Sequence, residues 1–319
     1  MKIYKIVFTN QSVINELPNS QTIFGAICTI INQTQGENDL QAYLKSFDSI
    51  PFFVHSSMFL NGTLPMLKRN LFSLNDVNEM VNASANSEKL KLLESTKKYK
   101  KISYMSEKIY KEYILNDRFE ALKKDLLQHP SDFKLNNGIL SFDDEELLND
   151  VSSLIRTRNG FPEDGNDKTL FYSSMTYYPK DTEFVIYVKT NKSVDYLKSI
   201  FECFEYFGIG SRRTVGMNSF HFERIEQVSL SVNKESKLLL SRYIPYGEEV
   251  DLSKSYYQLA SNVYRSSKEY VGGFVSGKYI HFLEGSWMHF TEDKEYYGRV
   301  IETQTNGKKV YHYAIGFTV

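Results

Sequence analysis

The chain has 319 residues, 41% of them apolar and 24% charged, the balance of an ordinary soluble globular protein with room for two domains. Its 38 Lys and Arg face 39 Asp and Glu, a net charge of −1. That excludes a global electrostatic hold on nucleic acid, so any such site must be a local basic patch.

Residues 2–9 (KIYKIVFT) are predicted as a buried strand, because Ile3, Ile6, Val7 and Phe8 supply apolar groups to both faces. Ser20 is the expected N-cap of a helix on which Ile23, Ile27, Ile30 and Ile31 recur at helical spacing. A second short helix is expected over about 38–47, then a strand in PFFVHSSMFL. From about 72 to 128 the sequence is lysine-rich and polar with helical stretches, which predicts a helical insertion on a β framework. Further on, LIRTRNGFPEDGNDKTLFYSSMTYY sets a loop of Asn, Asp, Gly and Pro between apolar flanks, the pattern of a protruding hairpin arm at about 156–168.

EFVIYVKT reads as a strand. SVDYLKSIFECFEYFG reads as a helix whose stripe is Val194, Leu197, Ile200, Phe201, Phe204 and Phe207. Gly208 falls at its C-cap, and NSFHFERI resumes strand alternation. Strand, helix, strand, twice over, is the ferredoxin-like order. The expected class is α+β. Residues 1–225 form a ferredoxin-like domain with the insertion and arm, and the aromatic-rich strands of 226–319 form a second, smaller one of related kind.

Cys28 and Cys203 sit inside apolar helical patterns and read as core residues of a reducing compartment. MKIYKIVFTN enters a strand with no signal-peptide pattern, and no apolar run approaches membrane-spanning length, so a cytoplasmic location is expected. The six histidines lie singly in different segments, with no CxxC or H-E-x-x-H partner. No compact carboxylate pair suggests acid–base chemistry. Neither a catalytic residue, a metal nor a cofactor is expected. The 23 tyrosines and 22 phenylalanines permit base stacking without arguing for it.

Gly208, Gly210 and Gly216 crowd one connection, YFGIGSRRTVGMNSF, with Ser211, Arg212 and Arg213 between them. A P-loop or a dinucleotide fingerprint would precede a helix, whereas this loop follows one. Two readings stay open. Missing side chains and two arginines suit a close approach of a phosphodiester backbone; equally, the segment is a flexible surface loop with solvated cations. The same choice holds for Arg156, Arg158 and Phe161 on the arm. Gly285 and Ser286, in GSW, are compatible with a turn that serves only packing.

In this order the motifs resemble a known family: the RAMP subunits that cap the crRNA 5′ end in type III-A CRISPR (Csm) effector complexes. NSQTIFGAI, with Ser20, Gln21 and Thr22, is similar to the family's segment after the first strand. GIGSRRTVGMNSF matches its glycine-rich loop, IRTRNGFPEDGNDKTLFY its hairpin, and FLEGSWMHF its glycine–serine turn. Gln21 replaces a usual aspartate, TRN replaces an aspartate–arginine pair, and LPML, followed by Lys68 and Arg69, replaces a leucine–proline–lysine–proline. The resemblance implies two ferredoxin-like (RRM-like) domains and no nuclease activity. It further implies binding of the crRNA 5′ tag and docking between the large Palm-containing subunit and the backbone RAMP subunit, away from membranes. A repeat-cleaving endoribonuclease of the same superfamily and a purely structural subunit are the rival readings.

Overall fold

The computed structural model describes residues 1–73, 77–78, 86–147, 151–160, 169–210, 215–230, 235–265, 275–305 and 307–319. Its framework runs β1 (Lys2–Asn10), α1 (Ser20–Thr34), α2 (Glu37–Ser46), β2 (Phe53–Leu60) and then, after a long insertion, β9 (Glu183–Thr190), α5 (Val194–Phe201) and β10 (Phe220–Gln227). The four strands form one antiparallel sheet in the order β10-β1-β9-β2. That is the ferredoxin-like order, with helices after each of the two inner strands, β1 and β9, as the sequence pattern requires.

Period two in the strands explains why both sheet faces are buried. Ile6, Phe8, Ile186 and Val188 share the face under the helices, where Phe8 stacks on Phe204 at 5.9 Å. Val7, Val185, Tyr187 and Lys189 share the other. It is covered by the insertion, through the Tyr187 hydroxyl on Glu107, and by the C-terminal residues, through the Lys189 ammonium on the Thr318 carbonyl. The isoleucines of α1 are buried as their spacing predicts.

The insertion is larger and more mixed than the helical segment expected at 72–128. It holds β3 (Thr63–Pro65), α3 (Asn86–Tyr99), β4 (Tyr104–Ser106), a short α–π turn at 107–114, α4 (Phe119–Gln128), β5 (Phe133–Asn136) and β6 (Ile139–Phe142). The strands make a second sheet, β3-β4-β6-β5. The arm follows as a hairpin of β7 (Ser152–Gly160) and β8 (Thr169–Tyr177), longer at its base than expected.

After β10 come β11 (Ser236–Leu238), β12 (Val250–Tyr256), β13 (Leu259–Arg265), β14 (Val275–Phe282), β15 (Trp287–Phe290), β16 (Val300–Thr305) and β17 (Lys308–Tyr313). They pair as a three-stranded sheet, β11-β15-β12, and two hairpins, with no helix among the described residues. Among the described residues this segment is thus built of strands. Leu238, Leu240, Ile315, Phe317 and Val319 enter the main core, while Leu239 turns into a smaller one with Tyr243, Met288, Phe290 and Tyr297.

Two local expectations need correction. Asn19, not Ser20, caps α1: its side chain accepts the Thr22 N–H at 3.1 Å, and Ser20 is the first helical residue. The helix from 194 is not continuous; it pauses at Glu202–Cys203 and resumes over Phe204–Phe207. Val194, the first residue of that helix, lies 41% exposed, outside the stripe that buries Leu197, Ile200, Phe201 and Phe204.

Candidate nucleic-acid interface

The start of α1 is tied to three other segments. The Ser20 N–H donates to Ser57 Oγ on β2 at 2.9 Å, and Ser20 Oγ accepts the Arg242 N–H at 3.1 Å. Gln21 Oε1 accepts the Tyr313 N–H. Ser20 is fully buried, and its hydroxyl holds a remote segment of the fold. Gln21 and Thr22 are half-buried at the rim.

The glycine-rich loop reaches this same point. Gly208 caps the short helix, donating its N–H to the Phe204 carbonyl at 2.9 Å with φ +64°. Gly210 has φ +93°, and a Cβ there would stand 3.3 Å from Asn218 Nδ2 and 3.5 Å from Thr22 Cγ2. The close approach that demands glycine at 210 is therefore to the chain itself, an approach that seats the loop beside α1. Gly216 also has positive φ, with open space where a side chain would be. Ser211, Arg212 and Arg213 lie outside the described residues.

On the arm Arg156 is exposed and pairs in register with Ser173. Arg158 is paired opposite Phe171 through its backbone, and its side chain is outside the described set, as is Phe161. Ile155, Leu170 and Tyr172 are 70%, 68% and 76% exposed, an apolar face on a projecting ribbon.

Gly285 and Ser286 turn out to be interior. The Ser286 hydroxyl donates to the Leu283 carbonyl at 2.7 Å and is buried. Gly285, with φ +88°, accepts the Lys68 N–H on its carbonyl at 2.9 Å, and a Cβ would lie 2.3 Å from the Met66 carbonyl. Gly285→Ala is expected to cost roughly 2–4 kcal/mol, combining about 1 for left-handed backbone with 1–3 for overpacking. Chemical denaturation checks this; a loss below about 0.5 kcal/mol would mean that the turn tolerates a side chain.

A polar cluster that sequence spacing did not announce lies beside Ser20. Glu284 accepts from Ser57 Oγ at 2.5 Å and pairs with Arg242 at 3.8 Å, and its charge acts on half-buried Lys68. Residues 57, 68, 242 and 284 share no motif. Only the docking of the C-terminal strands on β2 and the insertion brings them together.

No protein-family model and no curated protein matches the sequence. Solved structures do. The chain is similar to one in the crystal structure of a Csm3–Csm4 subcomplex of the type III-A CRISPR–Cas interference complex, at 17% identity and TM-score 0.65, covering 100% of this chain and 98% of that one. It is also similar to chains in Csm1–Csm4 cassettes with AMPPNP and with pppApA, at 14% identity and TM-scores of 0.58 and 0.59, covering 100% of this chain and 97% of each. Csm4 is the component common to these structures. The chain has its fold.

With that fold in view, His281 and His312 gain a place. His281 and His312 interact electrostatically with each other and with Arg242, close to the start of α1, since the neighbouring Tyr313 holds Gln21. Both are buried, and His312 stacks on Tyr279 at 4.0 Å. Desolvation pushes each down to about 4, so both are neutral near pH 7. Among the described residues no three His, Cys, Asp or Glu side chains form a metal-ligating group, and no helix is long and apolar enough to cross a membrane.

Proposed function

We propose that the chain is a non-catalytic crRNA-binding subunit of a cytoplasmic type III-A CRISPR effector complex. It holds the repeat-derived 5′ tag and docks a large Palm-containing, Csm1-like subunit onto a Csm3-like backbone. The observation that carries this reading is the full-length, two-way coverage of the Csm4 fold, with neither partner left over. Its local support is the meeting of α1's rim residue Thr22 with Gly210, from which Ser211, Arg212 and Arg213 follow in sequence. Exposed backbone N–H groups and arginines suit phosphates, and the arm offers an aromatic and aliphatic wedge between bases.

Co-expression with Csm1-like and Csm3-like partners and a repeat array tests it. The expected product is a stable assembly carrying a small RNA of uniform 5′ end. An assembly without RNA would support a purely structural subunit, and specific cleavage of repeat RNA by the purified chain without metal would support the endoribonuclease.

Arg212→Ala and Arg213→Ala should each weaken tag binding without altering sequence preference. Each should flatten the dependence of log affinity on log salt by about 0.7. Unchanged slopes in both would return the loop to an ordinary solvated one.

A further inference from the structure

The connection from β1 to α1 contains a short strut bonded on both sides. Ile14 exchanges N–H to carbonyl bonds with Thr176 of β8, at 3.0 and 2.7 Å. Facing the other way, the Val13 carbonyl accepts the Asn218 N–H at 3.1 Å, and the Asn15 N–H donates to Asn218 Oδ1 at 2.9 Å. Successive residues of an extended chain aim their backbone groups to alternate sides, so three residues suffice to join two unrelated segments. One segment is the base of the arm, where Thr176 pairs with Ser153 of β7. The other is the end of the glycine-rich connection.

The chemistry of Asn218 suits this junction. It is 1% exposed, and its φ of +55° is a left-handed conformation that asparagine adopts more readily than other side chains. That turn sends its own carbonyl to the Ile209 N–H at 3.4 Å, across the neck of the loop. The side-chain amide then supplies the acceptor for Asn15 that a straight strand would have offered from its backbone. Gly210 lies against the same amide, and Ile209 and Met217 are buried on either side of the neck.

We propose that Asn218 is a positioning residue that, through residues 13–15, holds the neck of the glycine-rich loop in fixed register with the arm. Val215 on the loop and Arg156 and Tyr172 on the arm, all exposed, are then presented as one rigid unit. The strut stands on the hydrogen bonds alone. Its consequence rests on the RNA-binding reading: a strand touching both elements meets them at constant spacing, so loss of the amide costs affinity without loss of a phosphate contact.

Nitroxide labels on keto residues installed at Val215 and Tyr172, which leave Cys28 and Cys203 untouched, report the spacing in the full chain. The distance distribution should be narrow in the parent and clearly broadened by Asn218→Gly, which permits the left-handed backbone and removes the amide. In the assembled complex the same variant should bind tag RNA several-fold more weakly, with an unchanged slope of log affinity against log salt. Hydrogen exchange in the parent, which needs no variant to fold, should show the Ile14, Asn15, Thr176 and Asn218 amides opening together. Thr176 exchanging independently of Asn218, or an unbroadened distribution in Asn218→Gly, would overturn the strut whether or not RNA binds. A slope flattened by about 0.7 would overturn positioning in favour of a direct phosphate contact. A parent complex without RNA would overturn the RNA-binding reading, while the distances and exchange would still decide the strut.

Discussion

Removal of residues 315–319 is expected to abolish folding. Ile315, Phe317 and Val319 are buried to 3% exposure or less, and each such side chain contributes about 1.5–3 kcal/mol. Their combined loss, roughly 5–9 kcal/mol, reaches the range of a whole domain's stability. The backbone adds to this. Leu238 and Val319 exchange N–H to carbonyl bonds at 2.8 and 3.1 Å, and the Leu240 N–H donates to the Phe317 carbonyl at 2.8 Å. Lys189 Nζ would lose the Thr318 carbonyl at 2.9 Å and the Phe317 ring at 5.0 Å, leaving a buried amine that desolvation already pushes down to about 8. Phe317→Ala is the graded version and should cost about 3–5 kcal/mol. Circular dichroism melts decide the matter. A truncated chain that kept a cooperative transition within a few degrees of the parent would refute the clasp.

The parts of this fold that were legible in the sequence are those whose pattern is local and long. β9 matches EFVIYVKT residue for residue, because eight apolar-rich positions between turn signals leave little freedom. The helix caps show the limit. Asn19 and Ser20 are both good capping residues, and the choice fell on Asn19 because Ser20 is committed to Ser57 and to Arg242 of a remote segment. The second sheet escaped notice since β3 and β4 have three residues each, too few to show a period of two. Leu238, Leu239 and Leu240 read as one apolar run but divide between two cores, a division that exists only once β15 and residues 315–319 are in place. The boundary we propose at about residue 225 separates two units in chain order. Their shared core makes the second a structural lid on the first. The resemblance carried by the glycine-rich loop led to the right fold, but the buried Ser20, Gly285 and Ser286 show that shared motifs include residues that build the frame. Arg242 and Glu284 gave no pattern to find, because their neighbourhood is made by the tertiary fold.

Stability is expected to fall steeply as the pH is lowered from 7.5 to 5.5. His55, His281 and His312 are each lowered from 6.5 to about 4, in every case chiefly by burial. His55 stacks on Tyr313 at 4.4 Å with Nδ1 3.0 Å from the Ser56 carbonyl, while the other two also feel the Arg242 charge. A base whose pKa is depressed on folding binds fewer protons in the folded state, so between pH 6.5 and 4 the unfolded chain takes up protons that the folded one refuses. The window therefore opens as pH falls below 6.5, one unit costs about 1.4 kcal/mol per histidine, and the three together should cost roughly 4 kcal/mol at pH 5.5. The acid limb from Glu183 and Glu226, held low by hydrogen bonds from Arg224, begins as pH falls through the ordinary carboxylate value of 4.5, where the unfolded chain protonates, and so lies below the interval from 7.5 to 5.5. Urea midpoints measured across the interval supply the test, with His55→Phe as the control that removes one titration while keeping a ring against Tyr313. The control should lower the proton uptake on unfolding by about one near pH 5.5. Equal midpoints at pH 7.5 and 5.5 in the parent would mean that these imidazoles are not buried neutral, and the packing of Tyr313 and Tyr279 against them would have to be redrawn.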